Sequence, residues 1–400
     1  MTRPEKLGTR AVAVAVLVAG GQPAFGAGYY LPNQDAFTTA KGGAWVATAD
    51  SAAAVHYNAA GLTQLERPEA ALGAYVINLG TEVTTATGKF RAKSEWQPVP
   101  HLYYGMPLCE DLAFGFGINS PFGLGADWGQ ASPFRTVITE ARLAYVSGTA
   151  ALAWRPFETL SFGLSGSVNH ADLRLEQGLG FFPGDVLRFE GEGYSVSGAL
   201  SVLWQPHEQH SLGLNVASGT SQTLDGAIYS NALPTGPAKF DWITPMRIAA
   251  GYSYRPAPGW NLEANVEWLD WDSLNGLLLR APTAPGGAIP VPFHWESMFI
   301  YELGVSYQWD NGWRAAIGYD YNSSATPDPT YNPAVADADR HWLNAGFGRD
   351  CEDWSWFLTY QFGYSNRTVV GALPSPAGES ANGKYASRHH SVVMTLEKRF

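Results

Sequence analysis

From residue 69 to residue 400 apolar and polar side chains alternate with a period of two. In Glu296–Trp309 the apolar positions are Phe299, Tyr301, Leu303, Val305, Tyr307 and Trp309, with Glu302, Gly304, Ser306 and Gln308 between them. Successive side chains of a strand point to opposite faces, so this run is a strand with one apolar and one polar side. Trp354–Tyr364 repeats the pattern with Trp354, Trp356, Leu358, Tyr360, Phe362 and Tyr364. Leu160–Val168 sets Leu160, Phe162, Leu164 and Val168 against Ser161, Gly163, Ser165 and Ser167. Each run reaches the roughly 9–11 residues with which a tilted strand crosses a membrane.

Turn signals give the count. Short links stand at Leu108–Asp111, Arg155–Thr159, Gln205–His210, Arg255–Gly259, Asp310–Gly312 and Asp350–Asp353. Longer loops rich in Pro, Gly and Ser alternate with them, at about 81–95, 123–137, 175–189, 220–239, 272–295, 326–338 and 367–383. Seven long and six short connections join fourteen strands, an even number with both ends on the periplasmic side. The expected fold is all-β: a 14-stranded antiparallel transmembrane β-barrel over 69–400, closed by the strand Tyr385–Phe400 with its terminal aromatic.

Residues 27–68 lack this alternation and are rich in Ala, Gly, Asn and Asp. A fourteen-stranded lumen is too wide for its own side chains to fill, and a compact segment of small residues suits an N-terminal hatch, or plug, inside it. Ahead of it, Arg3, Lys6 and Arg10 precede the apolar run Ala11–Gly20 and the small residues Ala24-Phe25-Gly26. This is an export signal over 1–26, cleaved after Gly26 or after Ala27. Its apolar run is about half of what a membrane-spanning helix needs.

Composition agrees with a barrel. A mean hydropathy of −0.13 accompanies 15 Trp and 19 Tyr, as when lipid-facing residues alternate with polar lumen residues between aromatic girdles. A soluble β-sandwich or propeller would keep its outer face polar, and a propeller would show a fixed repeat. Without the leader the formal charge moves from −11 to −13, since three basic residues and Glu5 leave with it. That excludes nucleic acid as a partner. Cys109 and Cys351 lie in separate acidic turns and form no disulfide framework.

Several stretches resemble the long-chain fatty acid outer-membrane transporter family (FadL/TodX type). They are Ala27-Gly28-Tyr29-Tyr30-Leu31, Gly42-Gly43-Ala44, Ala49-Asp50-Ser51-Ala52 and Asn58-Ala59-Ala60-Gly61-Leu62 before Arg67-Pro68. Farther on come Pro121-Phe122-Gly123-Leu124, Leu160-Ser161-Phe162-Gly163, Val266–Trp271 and Asp337–Leu343. The resemblance implies a fourteen-stranded barrel with a hatch, passive uptake of fatty acids or aromatic hydrocarbons, and sideways exit at a kinked third strand. It also implies that Tyr29, Tyr30 and Leu31 line the inner binding pocket. The family's hatch usually carries Asn-Pro-Ala where this chain has Asn58-Ala59-Ala60, which frees φ at residue 59.

Lateral exit needs a wall strand that deviates without exposing unpaired backbone to lipid. The third strand, Leu112–Phe122, and the residue that follows supply Gly115, Gly117, Pro121 and Gly123, which permit bends or break a ladder. A carboxylate cargo would seek a cation. Strand parity turns Arg247 and Arg314 into the lumen, either free for such a group or paired with Glu263, Glu267, Glu302 or Asp320. The acidic loop 326–339 lacks the spacing of a calcium site, and no HExxH or G-x-S-x-G motif occurs. No cofactor, metal or catalytic residue is expected. The reading is an outer-membrane, monomeric channel whose partners are hydrophobic small molecules and membrane lipid. A general porin or a lipid-modifying enzyme is the alternative.

Overall fold

A computed structural model describes residues 28–282 and 285–400; the leader expected at 1–26 lies outside them. The chain forms a closed antiparallel barrel of fourteen strands. The first is Glu69–Thr85, the second Trp96–Cys109, and the third comes in two pieces, Leu112–Asn119 and Gly123–Asp127. Glu140–Phe157, Leu160–Gln177 and Leu187–His207 are the fourth to sixth. The seventh is His210–Ala217 with Thr220–Ser230, and the eighth Gly236–Thr244 with Arg247–Tyr254. Trp260–Leu269, Met298–Gln308, Trp313–Asn322 and Arg340–Asp350 are the ninth to twelfth. Trp354–Val369 and Gly383–Arg399 complete the wall. Closure is made by the first and last strands, paired from Glu69↔Arg399 to Thr84↔Lys384.

The six tight turns fall where the sequence placed them, whereas several long loops are shorter than expected, and the one at 326–338 is longer, spanning 323–339. Most of 220–239 is strand, leaving only residues 231–235 as a connection. The 272–295 stretch contains a hairpin of Gly276–Arg280 with Ala288–Pro292, and Gly88–Arg91 folds back on Glu82–Thr85. Above the membrane a strand has no lipid face to satisfy, so its alternation fades while its backbone still pairs. Cys109 and Cys351 are both exposed and free.

Leu164, Val168, Leu200, Leu303 and Ile317 point outward and are exposed, and Trp154, Trp204, Trp260 and Trp354 mark one rim of this apolar band. Inward, residues 28–65 pack against the inner face of the wall. The segment holds a five-residue helix, Ala36–Ala40, capped by Asp35, whose carboxylate accepts from Thr38 N at 2.9 Å. It continues through a helical turn, Ala54–Tyr57, into a 3-10 helix, Ala59–Gln64, capped by Asn58. Its small residues let it pack tightly: Ala49, Ala52, Ala53, Ala54 and Leu62 are buried with wall residues Ala113, Ala151 and Ala153.

Candidate functional site

The site is the place where the N-terminal segment meets the third strand. Beyond Asn119 that strand leaves its partner. Its ladder with the second strand ends at Leu102↔Ile118, and Trp96–His101 pair only with the first strand. On the other side it stays with the fourth strand, but the register slips from Asn119↔Ser147 to Gly123↔Ala144. Three residues, Ser120, Pro121 and Phe122, therefore face two, which is a β-bulge. Pro121 offers no N–H to a ladder.

The N-terminal segment takes the place of the missing strand. Gly123 N donates to Tyr29 O at 2.9 Å, and Leu31 N donates to Pro121 O at 2.8 Å. The Gln34 amide completes the strip, donating to Ser120 O at 3.0 Å and accepting from Ser120 N at 3.1 Å. Backbone groups that would otherwise face lipid unpaired are thus satisfied from inside.

Gly115 and Gly117 do not form this kink, contrary to the sequence expectation. Both lie in regular ladder, opposite Gly105 and Tyr103. Their missing side chains instead make room for the N-terminal segment. A Cβ at Gly115 would stand 2.7 Å from Leu62, and one at Gly117 would stand 3.2 Å from Val55. Pro121 and Gly123 do lie at the bulge.

Above the bulge is an apolar cavity of about 150 Å³. Tyr29 forms its floor, and Phe189, Phe240, Trp242, Leu124 and Val335 are among its walls. Tyr29 is held by aromatic rings, with centroids at 4.7 Å to Trp242 and 4.6 Å to Trp271, and by a hydrogen bond to Ile243 O. Phe122 connects cavity and bulge: its ring lies 6.1 Å from Tyr29, 5.5 Å from Tyr30 and 5.2 Å from Tyr145. Of the three residues expected to line a pocket, Tyr29 lines this one. Tyr30 borders a much smaller gap beside Arg247, Glu267 and Glu302. Leu31 is buried and borders none of the cavities described here.

Arg247 and Arg314 are not brought together. Arg247 Nη1 binds Glu267 at 3.0 Å and the Tyr30 hydroxyl, and its guanidinium covers the Tyr30 ring at 4.7 Å. Arg314 lies at the periplasmic end, 3.2 Å from Asp350 and 3.8 Å from Glu397, against Phe37. Neither cation borders the apolar cavity. Asn58 ties the N-terminal segment to the wall, donating to Val46 O at 2.8 Å and to Val202 O at 3.1 Å. Its Oδ1 accepts from Ala60 N at 3.2 Å. Gly61 is packed so closely that a Cβ would overlap the Ala49 carbonyl. Deeper in the lumen, Lys41 and Glu263 form a fully buried ion pair at 3.0 Å.

At the extracellular rim, Asp185 binds Arg135 at 2.5 Å and receives the backbone N–H groups of Leu179, Phe181 and Phe182. Withdrawal from water works against its charge, but these four donors outweigh it and hold the carboxyl well below the usual carboxylate range. The turn so formed exposes Phe181 and Phe182.

Sequence reasoning missed Phe122, Gln34, Trp242 and Trp271 as parts of this site. The phrase Pro121-Phe122-Gly123 was a signal for the first, while no local pattern marks the others.

Comparison with known proteins adds the following. The family description Outer membrane protein transport protein (OMPP1/FadL/TodX) matches residues 16–355. The chain is 23% identical over 388 residues to a long-chain fatty acid transport protein of Salmonella typhi, covering 84% of this chain and 86% of that one. In fold it is similar to a Pseudomonas aeruginosa FadL homologue, with TM-score 0.83, 15% identity and coverage of 93% and 100%. It is also similar to the Pseudomonas putida toluene transporter TodX, with TM-score 0.73, 16% identity and coverage of 93% and 100%.

Proposed function

Because this chain belongs to the outer membrane protein transport protein family (OMPP1/FadL/TodX), we propose that it is a passive channel for hydrophobic compounds whose cargo leaves sideways through the barrel wall. Cargo gathers at the exposed aromatic loops, enters the cavity above Tyr29, and leaves at the third-strand bulge. The observation that carries this reading is that strip of hydrogen bonds. One N-terminal segment both floors the apolar cavity and closes the wall where the second and third strands part.

Burial of apolar surface, worth ~25 cal/mol per Å², draws a fatty acid chain or an aromatic hydrocarbon into the cavity. Displacing Tyr29 then withdraws the strip that pairs with Pro121 and Gly123. The wall opens beside the cargo, and the membrane takes up an apolar molecule without its crossing the polar lumen. Residues 27–68 act as the plug. The described part of them buries Ala49, Ala52, Ala53, Ala54 and Leu62 against the inner wall, which favours this reading over a general porin. A single plugged barrel needs no second subunit, and the chemistry is transport without catalysis.

The test removes the extra residue of the bulge. Deleting Pro121 restores a one-to-one register between the third and fourth strands. Uptake of a labelled long-chain fatty acid and of toluene should both fall sharply in cells carrying the deletion, while the barrel still shows a heat-dependent gel shift. Unchanged uptake of both by the folded deletion variant would overturn the lateral route.

A further inference from the structure

A second interruption of the wall lies between the sixth and seventh strands. Their ladder runs from Leu187↔Ser230 to Glu192↔Asp225 and resumes only at Ala199↔Ala217. Across the break Gly193–Gly198 face Ser218–Leu224, six residues against seven, and no ladder pair joins them. The lower edge is held by Ser218, whose N–H donates to Gly198 O at 2.8 Å and whose Oγ accepts from Gly198 N at 3.1 Å. Tyr145 pairs with Ala171, and Ala171 with Gly193. The upper end of this break is therefore in ladder register with the third-strand bulge, two strands away from the bulge's partner residue Tyr145.

A polar compartment of about 60 Å³ connects the two places. Pro121 and Phe122 border one end; Ser197, Gly198, Ser218 and Thr220, from both sides of the break, border the other. Arg247 also borders it. All its hydrogen bonds leave from Nη1, and its side chain keeps 14% of its surface exposed. At the break Gln222 is 7% exposed, yet neither its Nε2 nor its Oε1 has a partner among the described residues. Buried amides are rarely left so; these atoms are placed to meet water or a polar group entering the break.

The break also has a definite depth. Tyr194 and Trp204 both point outward from the sixth strand. Ten residues at ~3.3 Å each, tilted by ~40°, separate them by roughly 25 Å, the height of the apolar band of such barrels. Glu192 lies just above Tyr194, 3.3 Å from His170, which pairs with Tyr194. The break thus begins at the extracellular edge of the apolar band and runs a few residues down into it.

We propose that this break is a second lateral opening, through which the polar compartment delivers the head of an amphiphile, such as a long-chain carboxylic acid, to the membrane interface. The proposal rests on the transport reading above and divides the cargo by chemistry. An uncharged hydrocarbon needs only the third-strand bulge. An amphiphile's head meets Arg247 and the hydroxyl groups, and passes along them while its tail enters the lipid.

The test staples the break. In a C109S/C351S background, S195C and Q222C are introduced at positions that the upper register sets opposite each other. Labelled palmitate and toluene uptake are measured oxidised and reduced, with the disulfide verified by mass. The expected result is a fall in palmitate uptake of at least five-fold on oxidation, reversed by reductant, with toluene uptake unchanged within two-fold. Should the staple not form, palmitate carrying a photoreactive diazirine close to its carboxyl group is cross-linked in outer-membrane vesicles. Labelled peptides from 193–199 and 218–224 are then expected. Palmitate uptake indifferent to the formed staple, or labelling confined to 119–123, would overturn the second opening and leave a closed water pocket. Absence of both uptakes in the unsubstituted, folded protein would instead sink the transport reading.

Discussion

The arc of wall from the ninth strand round to the first differs in kind from the arc formed by the third to the eighth. In the former, every neighbouring pair is in uninterrupted register, from Trp260↔Tyr307 to Glu69↔Arg399. In the latter, ladders break at Ser120–Phe122, at Gly193–Gly198 and at Pro245–Met246. The N-terminal segment treats the two arcs differently. Against the regular arc it is anchored by the Lys41–Glu263 pair and by Ala36, whose N–H reaches Thr395 and whose carbonyl accepts from Thr359. Against the broken arc its lower part packs on Ala113, Ala151 and Ala153 and ties Asn58 to Val202 O, while higher up it supplies backbone partners to the bulge or borders cavities. A barrel can hold an inner segment firmly and still have a wall that is regular on one side and interrupted on the other. The cost of an unpaired backbone group in lipid confines breaches to places where main chain, side chain or water can stand in.

Breaking the anchored side should have the largest effect. Lys41→Met leaves Glu263 buried without a cation, a loss of about 3–5 kcal/mol. It should lower the temperature of the heat-dependent gel shift and raise ion conductance in planar bilayers. Lys41→Met with Glu263→Leu should recover part of the loss, and equal loss in the single and double variants would show that the pair does not anchor the plug. On the same arc, a Cβ at Gly318 would overlap the backbone of Lys41 and Gly42. Gly318→Ala should therefore cost about 1–3 kcal/mol by overpacking, read by the same gel shift.

On the interrupted side, Gln34→Ala removes both bonds to Ser120. At about 0.5–1.5 kcal/mol net for each bond, closure weakens and uptake of toluene should rise several-fold. Unchanged uptake would show that Gln34 does not help to shut the bulge. A smaller effect of opposite sign is expected at the hatch turn. Ala59 opens a 3-10 helix, its N–H has no partner among the described residues, and Asn58 before it is extended at φ −163° and ψ 95°. Proline suits that position, so Ala59→Pro should stabilise the protein by ~0.4–1 kcal/mol, measured by unfolding in denaturant.

The smallest expected effect is confined to the extracellular turn around Asp185. Because its folded pKa is depressed, the stabilisation is complete above the unfolded value of ~3.9 and is lost only as pH falls through the lower folded value. Chymotryptic cleavage at Phe181 and Phe182, measured relative to an unstructured reference peptide at the same pH, should therefore stay constant from pH 7 down to about pH 5, and increase in Asp185→Asn at every pH. Cleavage of the parent protein rising between pH 7 and 5 would contradict the assignment.

Much of this molecule was legible in the chain. Period-two alternation and the spacing of turns fixed fourteen strands, and parity turned Arg247 and Arg314 inward, because both depend only on neighbours along one strand. The length of the extracellular hairpins was not legible, since strands above the lipid lose the apolar face that reveals them. Gly115 and Gly117 show a further limit: a glycine admits a bend or a close neighbour equally well, and only the packed Val55 and Leu62 decided for the neighbour. The partner of Arg247, the pairing of Gln34 with Ser120 and the meeting of Tyr29 with Trp242 join residues from 20 to more than 200 positions apart. Local sequence carries no record of such distances. The breaks between strands belong to the same class, because a missing ladder is a relation between two strands, and it exists only once the barrel has closed.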